Sequence, residues 1–370
     1  MKLGEALSFH NGKTSPDRSE GGMYQVHGSN GVIGYCNHSN APAGATVIGR
    51  VGSYCGNVHF LQSDSWVTDN AIFAFPKADQ DPRYWYFVLC HLKLGKLRHG
   101  SGQPLLNQEI LSGVDFDPQT LSEQQRIAGV LGALDDKIES NQAVVTRAEE
   151  LIDEIAEQKA TDLPTVALSE VCSLSKSTWK PDTSSDQTVH LFSLPAFDEG
   201  AVPEQAVMST IKSNKTLMDR PGILVSRLNP RISRMWWVET DGTPVSVCSP
   251  EFAYLTAGDM HGLACTWLAV RSPKFRGEIV DRVTGTSGSH QRVRPADLMT
   301  IGVPDYRSLA EHTQMTVLML LHLVSARRQQ SVTLAELRDA LLPELMSGRM
   351  RVDEAGCLVS EALDEEVADV

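Results

Sequence analysis

Leu121-Ser122-Glu123-Gln124-Gln125-Arg126-Ile127-Ala128, continuing through Leu131-Gly132-Ala133-Leu134-Asp135-Asp136-Lys137-Ile138-Glu139 to Lys159, is the stretch that decides the architecture. Ile127, Leu131, Leu134, Ile138, Asn141, Val145, Ala148, Ile152 and Ile155 follow an unbroken 4-3 spacing. That is the seam of a heptad helix, with Asn141 as its one polar member. A lone Asn in such a seam fixes register and partner at some cost in stability. At 1.5 Å per residue the helix is roughly 55–60 Å long, and its apolar stripe cannot be buried without a partner.

The obvious partner lies near the other end of the chain. Met315 to Val324 is apolar on several faces, and a stripe follows at Leu334, Leu337, Leu341 and Leu345, with Pro343 expected to bend or end the helix. Heptads alone leave open a plain coiled coil, and also the alternative that each helix packs only on its own neighbouring domain.

On either side of the first helix the chain reads as a repeat. Gly100-Ser101-Gly102-Gln103 matches Gly288-Ser289-His290-Gln291, and at the same offset Leu121 and Glu123 fall on Leu309 and Glu311. Leu3-Gly4-Glu5 resembles Leu168-Ser169-Glu170, and Phe73-Ala74-Phe75 resembles Phe252-Ala253-Tyr254. Each match is weak, but their common order points to a duplicated unit. The first part of each unit is rich in short strand signals bounded by Gly and Pro, as in Gly44–Arg50 and Gly222–Arg227. Each of these is followed by a turn-rich stretch. Tyr84 to Leu97 and Cys265 to Val270 read as buried helix or strand, which periodicity does not separate. The fold class expected is therefore α+β: two similar β-rich domains separated by two long antiparallel helices forming a coiled coil.

Length and composition fit this plan. The 370 residues suit two or three domains, and 41% apolar residues fill real cores. The longest apolar run is about ten residues, half of what a membrane span requires. The opening residues show no signal-peptide pattern. Seven scattered cysteines without a CxxC pair suit a reducing cytoplasm, where we place the protein. Net charge is −13, which at first argues against a nucleic-acid ligand. Its distribution removes the objection. Residues 1–120 hold 9 basic and 10 acidic side chains, and residues 161–305 hold 14 and 16. The remaining excess sits in residues 121–160, with 4 and 9, and in residues 306–370, with 6 and 11. The β-rich parts are nearly neutral and can present local basic faces.

Signatures of catalysis are missing. There is no GxxxxGK[ST] loop, no GxGxxG after a strand, no HExxH and no His/Cys metal cluster. Asn229-Pro230 continues as Arg231, which does not fit the Asn-Pro-Pro-aromatic tetrapeptide of adenine methyltransferases. Glu157-Gln158-Lys159 has the spacing of a metal-dependent nuclease, but it closes a heptad helix, where such residues are ordinarily solvated. A non-catalytic binding protein is favoured, with no cofactor and no metal of its own.

The run Leu121–Ala128, continued to Asn141, resembles the central helix of type I restriction-modification specificity subunits, the HsdS family. Lys2–Glu5 with Gly12-Lys13-Thr14, the glycine-rich Tyr24–Gly34, and Leu337–Gly348 resemble the same family. The resemblance implies target-recognition domains at 1–118 and 161–306, helical spacers at 119–160 and 307–350, and an acidic tail at 351–370. It also implies a bipartite double-stranded DNA site and two methyltransferase subunits docked on the spacers. S-adenosylmethionine would belong to those subunits, and an ATP-dependent restriction subunit is a further partner. Leu309–Gln330 departs from the pattern in lacking the Glu-Gln-Gln-Arg-Ile-Ala run. A rival reading is a coiled-coil scaffold joining two protein-binding domains.

Base edges are read by Arg, Lys, Asn, Gln, Ser and Thr on loops where glycine allows close approach. In the first half these are His27, Ser29 and Asn30; Arg50, Ser53, Tyr54 and Asn57; and Ser101 and Gln103. In the second half they are Arg227, Asn229, Arg231 and Arg234, with Ser289, His290, Gln291, Arg292 and Arg294 in the repeated loop. The plainer alternative is that they are ordinary turn residues.

Overall fold

The computed structural model describes residues 1–77, 80–97, 105–283 and 291–364. It divides the chain into two units, Met1–Lys137 with Leu334–Val370, and Ile138–Thr333.

In the first unit, a short helix α1 (Leu3–Ala6) leads into β1 (Leu7–Asn11), β2 (Tyr24–Gly28), β3 (Gly31–Cys36), β4 (Thr46–Gly49), β5 (Val58–Phe60), β6 (Ser65–Val67) and β7 (Ala71–Pro76). An antiparallel sheet runs β1-β7-β4-β5, and a smaller one runs β3-β2-β6 with β2 and β6 parallel. Strand β4 is wholly buried, as expected for a β-branched run flanked by strands on both sides. Helix α2 (Pro82–His91) covers this sheet, resolving the ambiguous Tyr84 stretch as helix. Its Asp81 cap accepts a hydrogen bond from Tyr84 N at 2.8 Å. After α3 (Gln108–Ser112) the chain enters the long helix α4 (Leu121–Ala160), which begins in this unit and ends in the other.

The second unit repeats the plan. It contains β8 (Thr165–Ala167), α5 (Leu168–Val171), β9 (Ser173–Leu174), β10 (Thr178–Trp179), β11 (Thr188–Phe192), α6 (Leu194–Asp198), β12 (Glu204–Val207), β13 (Lys215–Met218), β14 (Gly222–Ser226), β15 (Met235–Val238), β16 (Ser246–Cys248) and β17 (Phe252–Thr256). Helices α7 (Met260–Arg271), α8 (Pro273–Asp281) and α9 (Pro295–Leu298) and strand β18 (Gly302–Pro304) follow. The sheet order β9-β17-β14-β15 reproduces β1-β7-β4-β5. The strand match holds but its register shifts by two residues: Val47 faces Phe73 where Leu224 faces Tyr254, so Phe73 corresponds to Tyr254 and not to Phe252 as the sequence match had it. A side chain at Gly222 would lie 2.2 Å from the Tyr254 ring, so only glycine fits there. Likewise β11 and β16 are parallel, as β2 and β6 are. Strands β10 and β13 extend that second sheet to five and have no counterpart among the described residues of the first unit.

Within each unit, the stretches of α4 and α10 (Glu311–Met346) that belong to it pack antiparallel. In the first unit Arg338 Nη1 bonds Asp135 Oδ1 at 2.7 Å, and Gln119 Nε2 bonds the Met346 carbonyl at 2.9 Å. In the second unit Asn141 Nδ2 donates to Gln330 Oε1 at 2.8 Å, and Arg328 meets Glu149 at 3.1 Å. Ile127, Leu131, Leu134, Asn141, Ala148 and Ile152 of the seam are buried. Ile152 and Ala156 also share a core with α7 and with Val317, Leu318 and Leu321 of α10. The alternative in which each helix packs only on its own neighbouring domain is therefore overturned: α4 packs on α10 and on the second unit's core together. Pro343 does not end α10, because one further turn follows it. Ser347 N bonds the Pro343 carbonyl at 3.1 Å, and Gly348, at φ 69°, closes the helix. The segment read as an acidic tail contains α11 (Val352–Asp364), which buries Val352, Ala355 and Val359 on one face.

Candidate nucleic-acid interface

In the first unit, β4 and β5 are joined by residues 50–57. Gly52 and Gly56 supply the left-handed turns, at φ 75° and 95°. A side chain on Gly56 would strike the Gly95 backbone at 2.2 Å. That close approach brings Lys93 and Lys96 beside Cys55, Gly56 and Asn57 around an open depression. Neither lysine is among the residues expected from the sequence to touch DNA, where the Lys93-Leu94-Gly95-Lys96 pattern is the available signal. Asn57 Nδ2 donates to Asn30 Oδ1 at 3.3 Å, and Ser29 Oγ donates to the Asn70 carbonyl at 2.6 Å. Ser29, Asn30 and Asn57 therefore converge, with Ser53 and Tyr54 exposed on the same loop. Arg50 is half-buried, and its carbonyl accepts from Leu106 N at 3.0 Å. Ser101 and Gln103 lie outside the described residues.

His27 is placed differently. It is 5% exposed and paired through Nε2 with Gln25 Oε1 at 3.2 Å, beneath the loops rather than among them. Burial, reinforced by nearby His59, lowers its pKa to about 4. Above pH 6.5 the imidazole is neutral in both the folded and unfolded chain and adds no pH dependence. Below that, the unfolded chain takes up a proton that the folded unit refuses until about pH 4. Stability of the first unit is therefore expected to fall across this window, by roughly 2–3 kcal/mol from this group. Urea unfolding at a series of pH values checks it, since His27→Gln should give a shallower slope than the parent. Equal slopes would exclude His27 as the source.

In the second unit the equivalent loop, residues 227–234, joins β14 to β15. Three arginines are committed to holding it. Arg227 donates to the carbonyls of Val293 at 3.1 Å and Pro250 at 2.9 Å, and burial lowers its pKa. Arg234 grips Asp198 with two bonds of 2.6 and 2.8 Å. Arg292 grips Glu251 at 2.9 and 2.8 Å. Asn229 adopts φ 47°, and its backbone N–H bonds the Gln291 carbonyl at 2.9 Å. Arg231, Ile232 and Ser233 stand exposed at the tip. Arg231 and Arg294 make no side-chain hydrogen bond or ion pair among the described residues. Ser289 and His290 lie outside those residues.

The two loops are anchored alike. Leu106 N donates to the Arg50 carbonyl where Val293 N donates to the Arg227 carbonyl, each at 3.0 Å. Bridges Val51–Leu105 and Leu228–Arg292 lie beside these bonds. No cluster of three or more His, Cys, Asp or Glu able to hold a metal occurs among the described residues. Nor is any helix there long and apolar enough to cross a membrane.

Comparison with known proteins agrees with this geometry. Residues 1–150 match the family model described as type I restriction modification DNA specificity domain. The Escherichia coli type I restriction enzyme EcoprrI specificity subunit is 25% identical over 135 residues, which cover 36% of this chain and 33% of that protein. The match thus spans about a third of that relative's length. The fold resembles the crystal structure of the type I restriction-modification S subunit from M. genitalium, with a TM-score of 0.59 at 15% identity. That superposition covers 93% of this chain and 95% of the other. Residues 1–150 are thus similar to the type I restriction modification DNA specificity domain, and the fold, with two β-rich halves that share a sheet order, is that of a solved S subunit.

Proposed function

We propose that the chain reads a bipartite double-stranded DNA site for a type I restriction-modification complex and performs no covalent chemistry itself. Residues 1–118 and 161–306 act as the two target-recognition domains, and residues 119–160 and 307–350 as the spacers. Two methyltransferase subunits dock on the spacers and supply the S-adenosylmethionine site, and an ATP-dependent restriction subunit joins the same complex. The observation that carries this reading is the repeated anchored hairpin loop. Each unit hangs one loop of exposed polar side chains on the same sheet edge and fixes it by the same backbone bond. A rigid loop displays its tip without paying ordering entropy on binding.

The test is single-molecule methylation mapping of DNA from cells expressing the chain with its methyltransferase. Combined Ser53→Ala and Tyr54→Ala replacement should relax one half-site, and Arg231→Ala the other. A bidentate base contact is worth roughly 1–3 kcal/mol of discrimination, or about 5- to 150-fold. Changes by both variants in the same half-site would contradict the modular assignment. Methylation by the purified chain alone, supplied with methyl donor, would contradict its non-catalytic role.

A further inference from the structure

Each anchored loop carries one large apolar side chain in the open: Tyr54, 48% exposed, and Ile232, 52% exposed. A lone exposed apolar residue is ordinary on a protein surface. The setting of Ile232 is not. Arg227, Arg234 and Arg292 commit their guanidinium groups to carbonyls and carboxylates within the unit, and Asn229 holds a left-handed turn. The Ile232 N–H closes that turn on the Asn229 carbonyl at 2.9 Å. Much local structure thus fixes a tip whose isoleucine leaves about half of its surface open to solvent.

On either side of it, Arg231 and Ser233 offer exposed donors. An apolar group between donors matches the major-groove edge of thymine, where a 5-methyl lies beside the O4 acceptor. We propose that Ile232 is a specificity-determining residue packing on the 5-methyl of a thymine in the half-site read by the second unit. Arg231 donates to the O4 of that thymine and Ser233 to an acceptor of the adjoining base pair, while Arg227, Arg234 and Arg292 are positioning residues. This rests on the DNA-reading role proposed above. Insertion of Ile232 between base steps, the other contact open to such a side chain, would not depend on the methyl group.

The experiment uses the complex with its methyltransferase subunits and the target duplex found by mapping, with thymines replaced singly by deoxyuridine. One replacement in that half-site should weaken binding by about three- to fivefold, the worth of one buried methyl group. The Ile232→Ala complex should bind the unmodified target more weakly and be indifferent to uracil at that position. Ile232→Val should retain part of the sensitivity. Unchanged melting temperatures for both variants would separate recognition from folding. Additive effects at every thymine, or a half-site without thymine on either strand, would overturn the assignment while leaving DNA reading intact. A wild-type complex with no preference for its target over random duplex would overturn both.

Discussion

Asp153→Ala is expected to destabilise the second unit by about 2–4 kcal/mol, among the largest effects available from one surface-reaching side chain. Arg271 holds this carboxylate with two bonds of 2.7 and 2.6 Å, and Arg276 Nη2 stands 3.0 Å from it. The Asp153 side chain is 26% exposed and that of Arg271 17%, so solvent screens the cluster only in part. Breaking a fully buried pair costs roughly 3–5 kcal/mol, and the residual exposure of this one brings the expected cost below that. Removing the acid leaves two guanidinium groups facing each other. Arg271→Ala should cost less, because Arg276 remains to neutralise Asp153. Urea unfolding of the three proteins gives the ranking. A variant Asp153→Ala within about 0.5 kcal/mol of the parent, the range of an ordinary surface change, would show the cluster to be ornamental.

Gln124→Ala should cost the first unit about 2–4 kcal/mol as well. Gln124 is 2% exposed although its neighbours on the helix surface are polar. Its Nε2 donates to the Gln119 carbonyl at 2.9 Å and to Gln80 Oε1 at 3.2 Å, and its Oε1 accepts from Asp81 N at 3.4 Å. Gln119 in turn bonds the Tyr84 hydroxyl and the terminal carbonyls of α10. Truncation orphans several buried groups at roughly 1–3 kcal/mol each, with partial compensation by water. Gln124→Glu is expected to be similarly damaging, since a carboxylate would face two acceptors. Hydrogen exchange should report the loss in α2, the start of α4 and the end of α10. Protection there equal to the parent's would refute the joint.

The same network separates what is legible in the sequence from what is not. The Glu-Gln-Gln-Arg-Ile-Ala run stands out as a family signature, yet its use does not. Gln124, Ile127 and Ala128 are buried, and Arg126 pairs with Glu123 and with Asp353 of α11. The heptad seam is legible because its spacing is local, and so is the repeat, because strands β4 and β14 keep their apolar character. The roles of the arginines are not legible. Arg227, Arg234 and Arg292 all look equally fit to touch DNA, and their partners Pro250, Asp198 and Glu251 lie 23, 36 and 41 positions away. Ile232 is hidden for the opposite reason, since a search for polar readers passes over an isoleucine. His27 sits in an exposed-looking glycine-rich run, and only the pairing of β2 between β3 and β6 buries it.

The first unit is assembled from two distant stretches of chain, Met1–Lys137 and everything from Leu334 onward. A ribosome delivers them at different times. When Lys137 emerges, Asp135 has no Arg338, Arg126 no Asp353, and the Gln119 amide no helix end to cap. The intervening Ile138–Thr333 carries all of its own unit and can close first, whereas the segment made earliest must wait for the segment made last. A premature stop near residue 334 would thus spare the later-made module and cripple the earlier one, and nascent chains of intermediate length present an incomplete first unit to the cell's chaperones and proteases.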